Sequence, residues 1–249
     1  MKTLSIGITT FRNRLNDVKK QISDIRIYDK DIDILLAINT NFGEKMPETY
    51  RKDILEFCFR QNSIYPLMFP RFTGLAKMWN NLIVHCATTH IFLMNDDIAF
   101  NNPLAIFDII GHIQNKEIFE INWGFGTFVI SKKLAHQVGY FDERLIAYGE
   151  EDGDFIKRYS KAIEKIPIQG VMNRIQNRLE HSYDKNVETF IGDGGHKALV
   201  NKIIIEKKEG ENWNNAQQYP YESFINDNYK NIGKVENIKY NEKNTYIIR

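Results

Sequence analysis

Apolar residues in the first two thirds of this chain fall alternately into short continuous runs and into stripes with helical spacing. Leu4 to Thr9 is a run of strand length. Leu15, Val18, Ile22 and Ile25 then recur every three or four positions, which predicts an amphipathic helix over 13–28. Ile32 to Ile38 reads as a second strand ending in the polar turn Asn39-Thr40-Asn41. A helix over 48–60 follows, and Ile64 to Phe69 is a third short strand interrupted by Pro66. Leu75, Met78, Leu82 and Cys86 share one face of a helix over 74–87, and His90 to Met94 is an apolar strand that stops at Asn95-Asp96-Asp97. The second half is less regular. Gly126 to Ile130 reads as a strand, Ser131 is placed to cap a short helix that Gly139 closes, and 151–163 is helical with Phe155, Tyr159 and Ala162 or Ile163 on one face. Beyond about 170 the chain turns polar, rich in Asn, Lys and Glu.

Strands and helices in this alternation predict an α/β fold, a mostly parallel, Rossmann-like sheet flanked by helices. Ligands of such sheets bind outside the carboxyl ends of the strands. That rule selects Thr9-Thr10-Phe11-Arg12, Asn39-Thr40-Asn41 and Asn95-Asp96-Asp97 as the places to look for a site.

Composition narrows the function classes. With 249 residues the chain can bury a substantial core, and its apolar (43%) and charged (26%) shares are those of an ordinary globular protein. Net charge is +1, from 33 basic and 32 acidic residues, which argues against a nucleic-acid binder running on bulk charge. Cys58 and Cys86 match no zinc-binding spacing and read as small core residues of a protein kept reduced. The N-terminus runs into a strand without a signal-peptide layout, and no apolar run approaches the ~20 residues that cross a bilayer. The expected location is the cytoplasm, with peripheral association at the inner face of the membrane left open.

Two groups of residues suit chemistry. Asn95-Asp96-Asp97 places carboxylates directly after an apolar strand, where their hard oxygens suit Mg²⁺ or Mn²⁺ and, through it, a diphosphate. Asp and Asn also end strands in ordinary turns. The second group is Glu150, Glu151, Asp152 and Asp154, four acids in five positions. They repel one another unless something offsets them. Either they open a helix whose positive end they favour, or one of them serves as a general base. Trp123, Tyr140 and Tyr148 flank this cluster and can stack on sugar faces or simply pack in a core.

Taken in order, several segments resemble the GT-A glycosyltransferases of the family 2 type. Ser5-Ile6-Gly7-Ile8-Thr9-Thr10-Phe11-Arg12-Asn13-Arg14 is similar to that family's opening strand and nucleotide-binding loop. Gly74-Leu75-Ala76-Lys77-Met78-Trp79-Asn80 is similar to its G-x-x-x-x-x-N helix, with Trp79 where Arg is frequent. Asn95-Asp96-Asp97 stands where D-x-D belongs, with Asn95 replacing the first acid. Trp123 to Ser131, Gly139-Tyr140-Phe141-Asp142-Glu143 and Tyr148-Gly149-Glu150-Glu151-Asp152-Gly153-Asp154-Phe155 resemble its Gly-rich strand, G-x-F-D-E and G-E-D-x-D-L elements. The extra Glu150, and Phe155 in place of Leu, are departures. The likeness covers roughly residues 3–185.

The resemblance implies a GT-A fold over 1–199, with a nucleotide-sugar half (1–100) and an acceptor half (101–199), followed by a C-terminal extension over 200–249. It implies a nucleotide-sugar donor held by Thr9, Thr10, Arg12, Asn39, Lys77, Asn95 and Asp96, and Mn²⁺ or Mg²⁺ at Asp97. His181 is the better placed downstream metal ligand and His196 the second. Asp152 would be the base with Glu151 beside it, and Trp123 and Tyr148 would meet a saccharide or glycolipid acceptor. One carboxylate opposite the leaving group implies a single displacement with inversion. Two rival classes stand beside this one. A non-catalytic carbohydrate- or nucleotide-sugar-binding module would not need both metal acid and base. A sugar-phosphate nucleotidyltransferase would carry a Gly-rich basic loop after the first strand, and Thr9-Thr10-Phe11-Arg12 is not one. The Lys-, Asn- and Ile-rich composition is associated with bacteria that build surface polysaccharide.

Overall fold

β1 (Leu4–Phe11) is buried along nearly its whole length, so both of its faces must be covered, and the chain supplies helices for that purpose. The computed structural model describes residues 3–11, 14–40, 45–102, 104–122, 125–145 and 151–173, with the backbone of 239–240 and 246–247. α1 (Leu15–Tyr28) buries Val18, Ile22 and Ile25, the expected stripe, together with the polar Gln21. β2 (Ile34–Asn39), α2 (Glu48–Phe59), β3 (Ile64–Met68), α3 (Leu75–His85) and β4 (His90–Asn95) follow in the expected alternation. After them come β5 (Ile98–Phe100), α4 (Ala105–Ile113), β6 (Ile118–Ile121), β7 (Thr127–Ser131), α5 (Lys132–Val138), α6 (Glu151–Tyr159), β8 (Lys165–Ile166) and β9 (Val171–Asn173). Two short strands, β10 (Lys239–Tyr240) and β11 (Tyr246–Ile247), pair antiparallel.

The main sheet has the order β3-β2-β1-β4-β7-β6-β8. β3, β2, β1 and β4 run parallel, β7 is antiparallel to β4 and to β6, and β8 is parallel to β6. The mostly parallel sheet flanked by helices that the sequence pattern predicts is therefore present. A small second sheet pairs β5 with β9. Ile6, Ile8, Ile34, Leu36, Ile38 and Phe92 are fully buried at the centre of the core. Gly7 lets the core close tightly there, since a Cβ would lie 2.7 Å from Leu93 Cδ2 and 2.9 Å from Ile91 Cδ1 and those buried side-chain tips would have to shift.

Several expectations are corrected. Pro66 does not interrupt β3, because β3 is an edge strand hydrogen-bonded on one side only, where a missing N–H is tolerated. The helix expected over 151–163 stops at Tyr159. Ser160 takes φ +55 and donates its N–H to Ile156 O at 2.9 Å, a left-handed stop without glycine. β5, α4, β6, β8 and β9 had no counterpart in the pattern reading. The capping expectation holds at both ends of α5. Ser131 Oγ accepts the N–H of Leu134 at 3.0 Å, and Gly139 takes φ +93.

Contacts group residues 1–73, 81–135 and 162–177 into one compact unit, which holds the main sheet. Residues 74–80, 136–161 and 178–249 group into a second. Among the described residues no helix is long and apolar enough to cross a membrane.

Candidate active site

The first unit brings its polar residues together where the sheet order reverses. β1 is flanked by β2, which leads outward to β3, and on the other side by β4, so the crossovers diverge at the β1/β4 boundary. Their carboxyl ends are in register, with Thr9 opposite Asn95. This is the switch point at which parallel α/β sheets bind ligands. Thr9 Oγ1 donates to Asn95 Oδ1 at 2.9 Å, and Thr10 Oγ1 donates to Asp96 Oδ2 at 2.7 Å. Arg14 Nη1 approaches the other Asp96 oxygen at 3.4 Å, and its guanidinium stands 5.1 Å from the centre of the Phe11 ring. Asp96 and Asp97 form the turn between β4 and β5, and both are buried.

Burial pushes the Asp96 carboxyl up to about 6, against the opposing pull of Arg14 and the Thr10 hydroxyl and with help from the charges of Asp97 and Asp17. The cationic and hydroxyl partners thus offset only part of the desolvation cost. Tyr50 donates its hydroxyl to Phe11 O at 3.3 Å and is held in the protonated form, first by burial and then by the charge of Asp96. Arg14 and Tyr50 were not among the residues singled out from sequence for a binding role. Arg14 lay inside the recognised loop segment, whereas Tyr50 sits on α2 with no local signal.

Asn39 is spent largely on the protein itself. Its Oδ1 accepts the N–H groups of Thr40 and Thr73, each at 3.0 Å, and its Nδ2 donates to Thr73 O at 2.7 Å. It ties the segment before α3 to the end of β2 and keeps one N–H beyond these bonds. Asn95, Asp96, Asp97, Thr9 and Thr10 therefore gather at one sheet edge as expected, and Asn39 ends the neighbouring strand. Arg12 lies outside the described residues.

The donor set at this edge fits a divalent cation of the Mg²⁺ or Mn²⁺ type, which commonly takes one or two carboxylates and fills its remaining positions with phosphate oxygens and water. Among the described residues no group of three or more His, Cys, Asp or Glu forms a site by itself. His181 and His196 lie outside the described residues.

In the second unit the acids divide by occupation. Asp154 is ion-paired with Arg158 at 2.8 Å, and Arg158 also donates to Val138 O at 2.8 Å and Tyr140 O at 2.6 Å. Asp142 grips Arg144 through side chain and backbone. Glu143 is buried, accepts from Asn80 Nδ2 at 3.1 Å and faces Lys77 Nζ at 3.9 Å. Asn80 further bonds both the N–H and the C=O of Phe141. The helix whose Lys77 was expected to meet the donor thus uses Asn80 to shape the Gly-x-Phe-Asp-Glu segment and turns Lys77 toward Glu143. Glu151 and Asp152 stand in the first turn of α6, Glu151 buried and Asp152 half-buried, with Asp152 Oδ1 accepting the N–H of Gly153 at 2.9 Å. Trp79 packs edge-on against Phe141 (4.9 Å between ring centres), which itself stacks on Phe155 at 4.5 Å. Tyr140 is buried at φ +61 with its ring against His136, which favours packing over sugar stacking. Trp123, Tyr148 and Glu150 lie outside the described residues.

This mostly parallel sheet flanked by helices is the GT-A fold. Among solved structures the chain is similar to S. aureus TarS 1–349 in complex with UDP, at 13% identity and TM-score 0.54, over 68% of this chain and 59% of that one. It is similar to the mannosyltransferase PcManGT from Pyrobaculum calidifontis in complex with GDP-Man and Mn²⁺, at 8% identity and TM-score 0.52, over 67% and 55%. It is also similar to glucosyl-3-phosphoglycerate synthase from Mycobacterium tuberculosis in complex with Mn²⁺, UDP and phosphoglyceric acid, at 12% identity and TM-score 0.52, over 80% and 78%. The chain spans less than two thirds of the TarS and PcManGT chains. At these identities the likeness is one of fold. The sequence matches no known family model and no curated relative.

Proposed function

We propose that this chain is a family 2-like glycosyltransferase. It would move a sugar from a nucleotide-sugar donor to a hydroxyl of a saccharide or glycolipid, with inversion and with Mn²⁺ or Mg²⁺. The observation that carries this reading is the hydrogen-bonded set of Thr10, Asp96 and Arg14 at the β1/β4 switch point, with Asp97 next in the same turn. The neighbours crystallised with UDP, or with GDP-Man and Mn²⁺, support the choice of donor class and metal.

In the proposed reaction Thr9, Thr10, Arg12 and Asn95 line the nucleotide pocket, and Asp96 accepts hydrogen bonds from the ribose. Arg14 keeps Asp96 in place. Asp97 would hold the cation, which when bound stabilises negative charge developing on the departing diphosphate. The bond between the anomeric carbon and the phosphate oxygen breaks, and its electron pair leaves with the nucleoside diphosphate. The acceptor oxygen bonds to the opposite face of that carbon while its proton passes to Asp152, the general base, with Glu151 beside it contacting a sugar. His181 would complete the cation's ligands, and Trp123 and Tyr148 would stack on the acceptor. Lys77, which faces Glu143 and carries three N–H donors, would also meet the donor.

The test is incubation with a panel of UDP- and GDP-sugars plus Mn²⁺ and saccharide acceptors, assaying the nucleoside diphosphate released. Asp152→Asn is expected to bind donor nearly as well as the unaltered protein and to lose transfer by a factor of about 10²–10⁴. Undiminished turnover in that variant refutes the base assignment.

A further inference from the structure

Gln21 is a polar residue on an apolar stripe. It lies on α1 between Val18 and Ile22 and is fully buried with them and Ile25. Its Nε2 donates to Asn95 O at 2.8 Å and to Ile98 O at 2.9 Å. Those carbonyls bracket the Asp96-Asp97 turn, one just before it and one just after. Each of the two amide protons is used once, and α1 packs directly against β5 beyond the turn. Gln21 Oε1 accepts no hydrogen bond among the described residues. A side chain chosen for packing would be Leu or Met here, because a buried amide with an unmet acceptor costs stability. Such a local conflict with the fold's own pattern is the mark of a residue kept for function.

We propose that Gln21 is a positioning residue for the candidate cation site. By fixing the two ends of the Asp96-Asp97 turn from beneath, it holds both carboxylates in one presentation to the cation and the donor's diphosphate. This inference rests on the glycosyltransferase reading above. It follows the general behaviour of metal sites, in which groups that orient the ligands matter nearly as much as the ligands themselves. The Thr10 and Arg14 contacts hold the Asp96 side chain, whereas Gln21 holds the backbone that carries both acids. Without it the carbonyls on either side of the Asp96-Asp97 turn lose their shared donor.

The experiment measures Mn²⁺ binding by electron paramagnetic resonance in the presence of UDP or GDP, with thermal unfolding followed alongside. Gln21→Met keeps the length of the side chain and removes both donors. Gln21→Glu keeps the shape of the side chain and can keep at most one donor. Ile22→Val, a core truncation on the same helix, serves as the destabilised control. Expected is an ordered loss of Mn²⁺ affinity, small for Q21E and about tenfold or more for Q21M, with I22V unchanged in affinity whatever its melting temperature. Should Q21M fail to fold, Q21E against I22V carries the same comparison. Equal Mn²⁺ affinity in the unaltered protein and the Gln21 variants overturns the positioning role and leaves the transferase reading standing. An unaltered protein that binds no Mn²⁺ with either nucleotide overturns both.

Discussion

Asp96 shows how much a single carboxyl can cost and why it is kept. Its folded-state value, pushed up to about 6 mainly by burial, lies above that of an exposed carboxyl. The folded protein therefore binds the proton more tightly than the unfolded chain. The resulting stabilisation is complete below about pH 4 and is lost as pH rises through about 6. Asp96→Asn removes this titration. The stability of that variant relative to the unaltered protein should improve as pH rises from about 4 to 7, while donor binding falls. Melting curves of the two proteins that run parallel across this window would count against the account. Cys58 illustrates burial without function. Its thiol is pushed up to about 11 by desolvation, so only about one in a thousand is ionised at pH 8. Both cysteines are buried and free, and a thiol-specific reagent should modify them only once the protein is unfolded. Fast labelling of the folded protein would contradict that packing.

At the scale of elements, strand ends were more legible than helix roles. The carboxyl edge with Thr9, Thr10, Asn95, Asp96 and Asp97 follows from apolar runs that stop at polar residues, a signal contained in neighbouring positions. What Asn80, Lys77 and Asn39 hold could not be read that way, because their partners lie 34 to 66 positions away and depend on tertiary packing. The acids opening α6 divide on the same ground. Asp154 is buried like Glu151 and locked to Arg158 one turn along, whereas Asp152 is half-buried. Asp154→Asn should therefore cost about 1–3 kcal/mol in chemical denaturation. Asp152→Asn should cost less than about 1 kcal/mol, the share a first-turn acid draws from the helix dipole. Equal losses would remove the distinction between them. Gly7 makes a similar point within β1. Gly7→Ala must push aside the buried Leu93 and Ile91 side chains and should destabilise by about 1–3 kcal/mol.

Across the whole molecule, alternation of strand and helix was enough to predict a mostly parallel sheet flanked by helices. The departures lie where local pattern and tertiary setting part company. Pro66 was read as a break because a proline removes a ladder donor, but the edge position of β3 makes that donor dispensable. β5 and β9 are three residues each, too short for a periodic signal, yet β5 closes the far side of the acid turn. The resemblance to the family 2 type supplied roles that no spacing could, and its elements now fall in both compact units, with Asp97 in the first and Asp152 in the second. The most direct measurement of the central claim is Mn²⁺-dependent release of nucleoside diphosphate from UDP- and GDP-sugars, comparing the unaltered protein with Asp97→Asn. The account predicts release coupled to glycosylation of the acceptor and a loss of about a hundredfold or more in the variant. Release of pyrophosphate instead, or a variant as active as the unaltered protein, would contradict it.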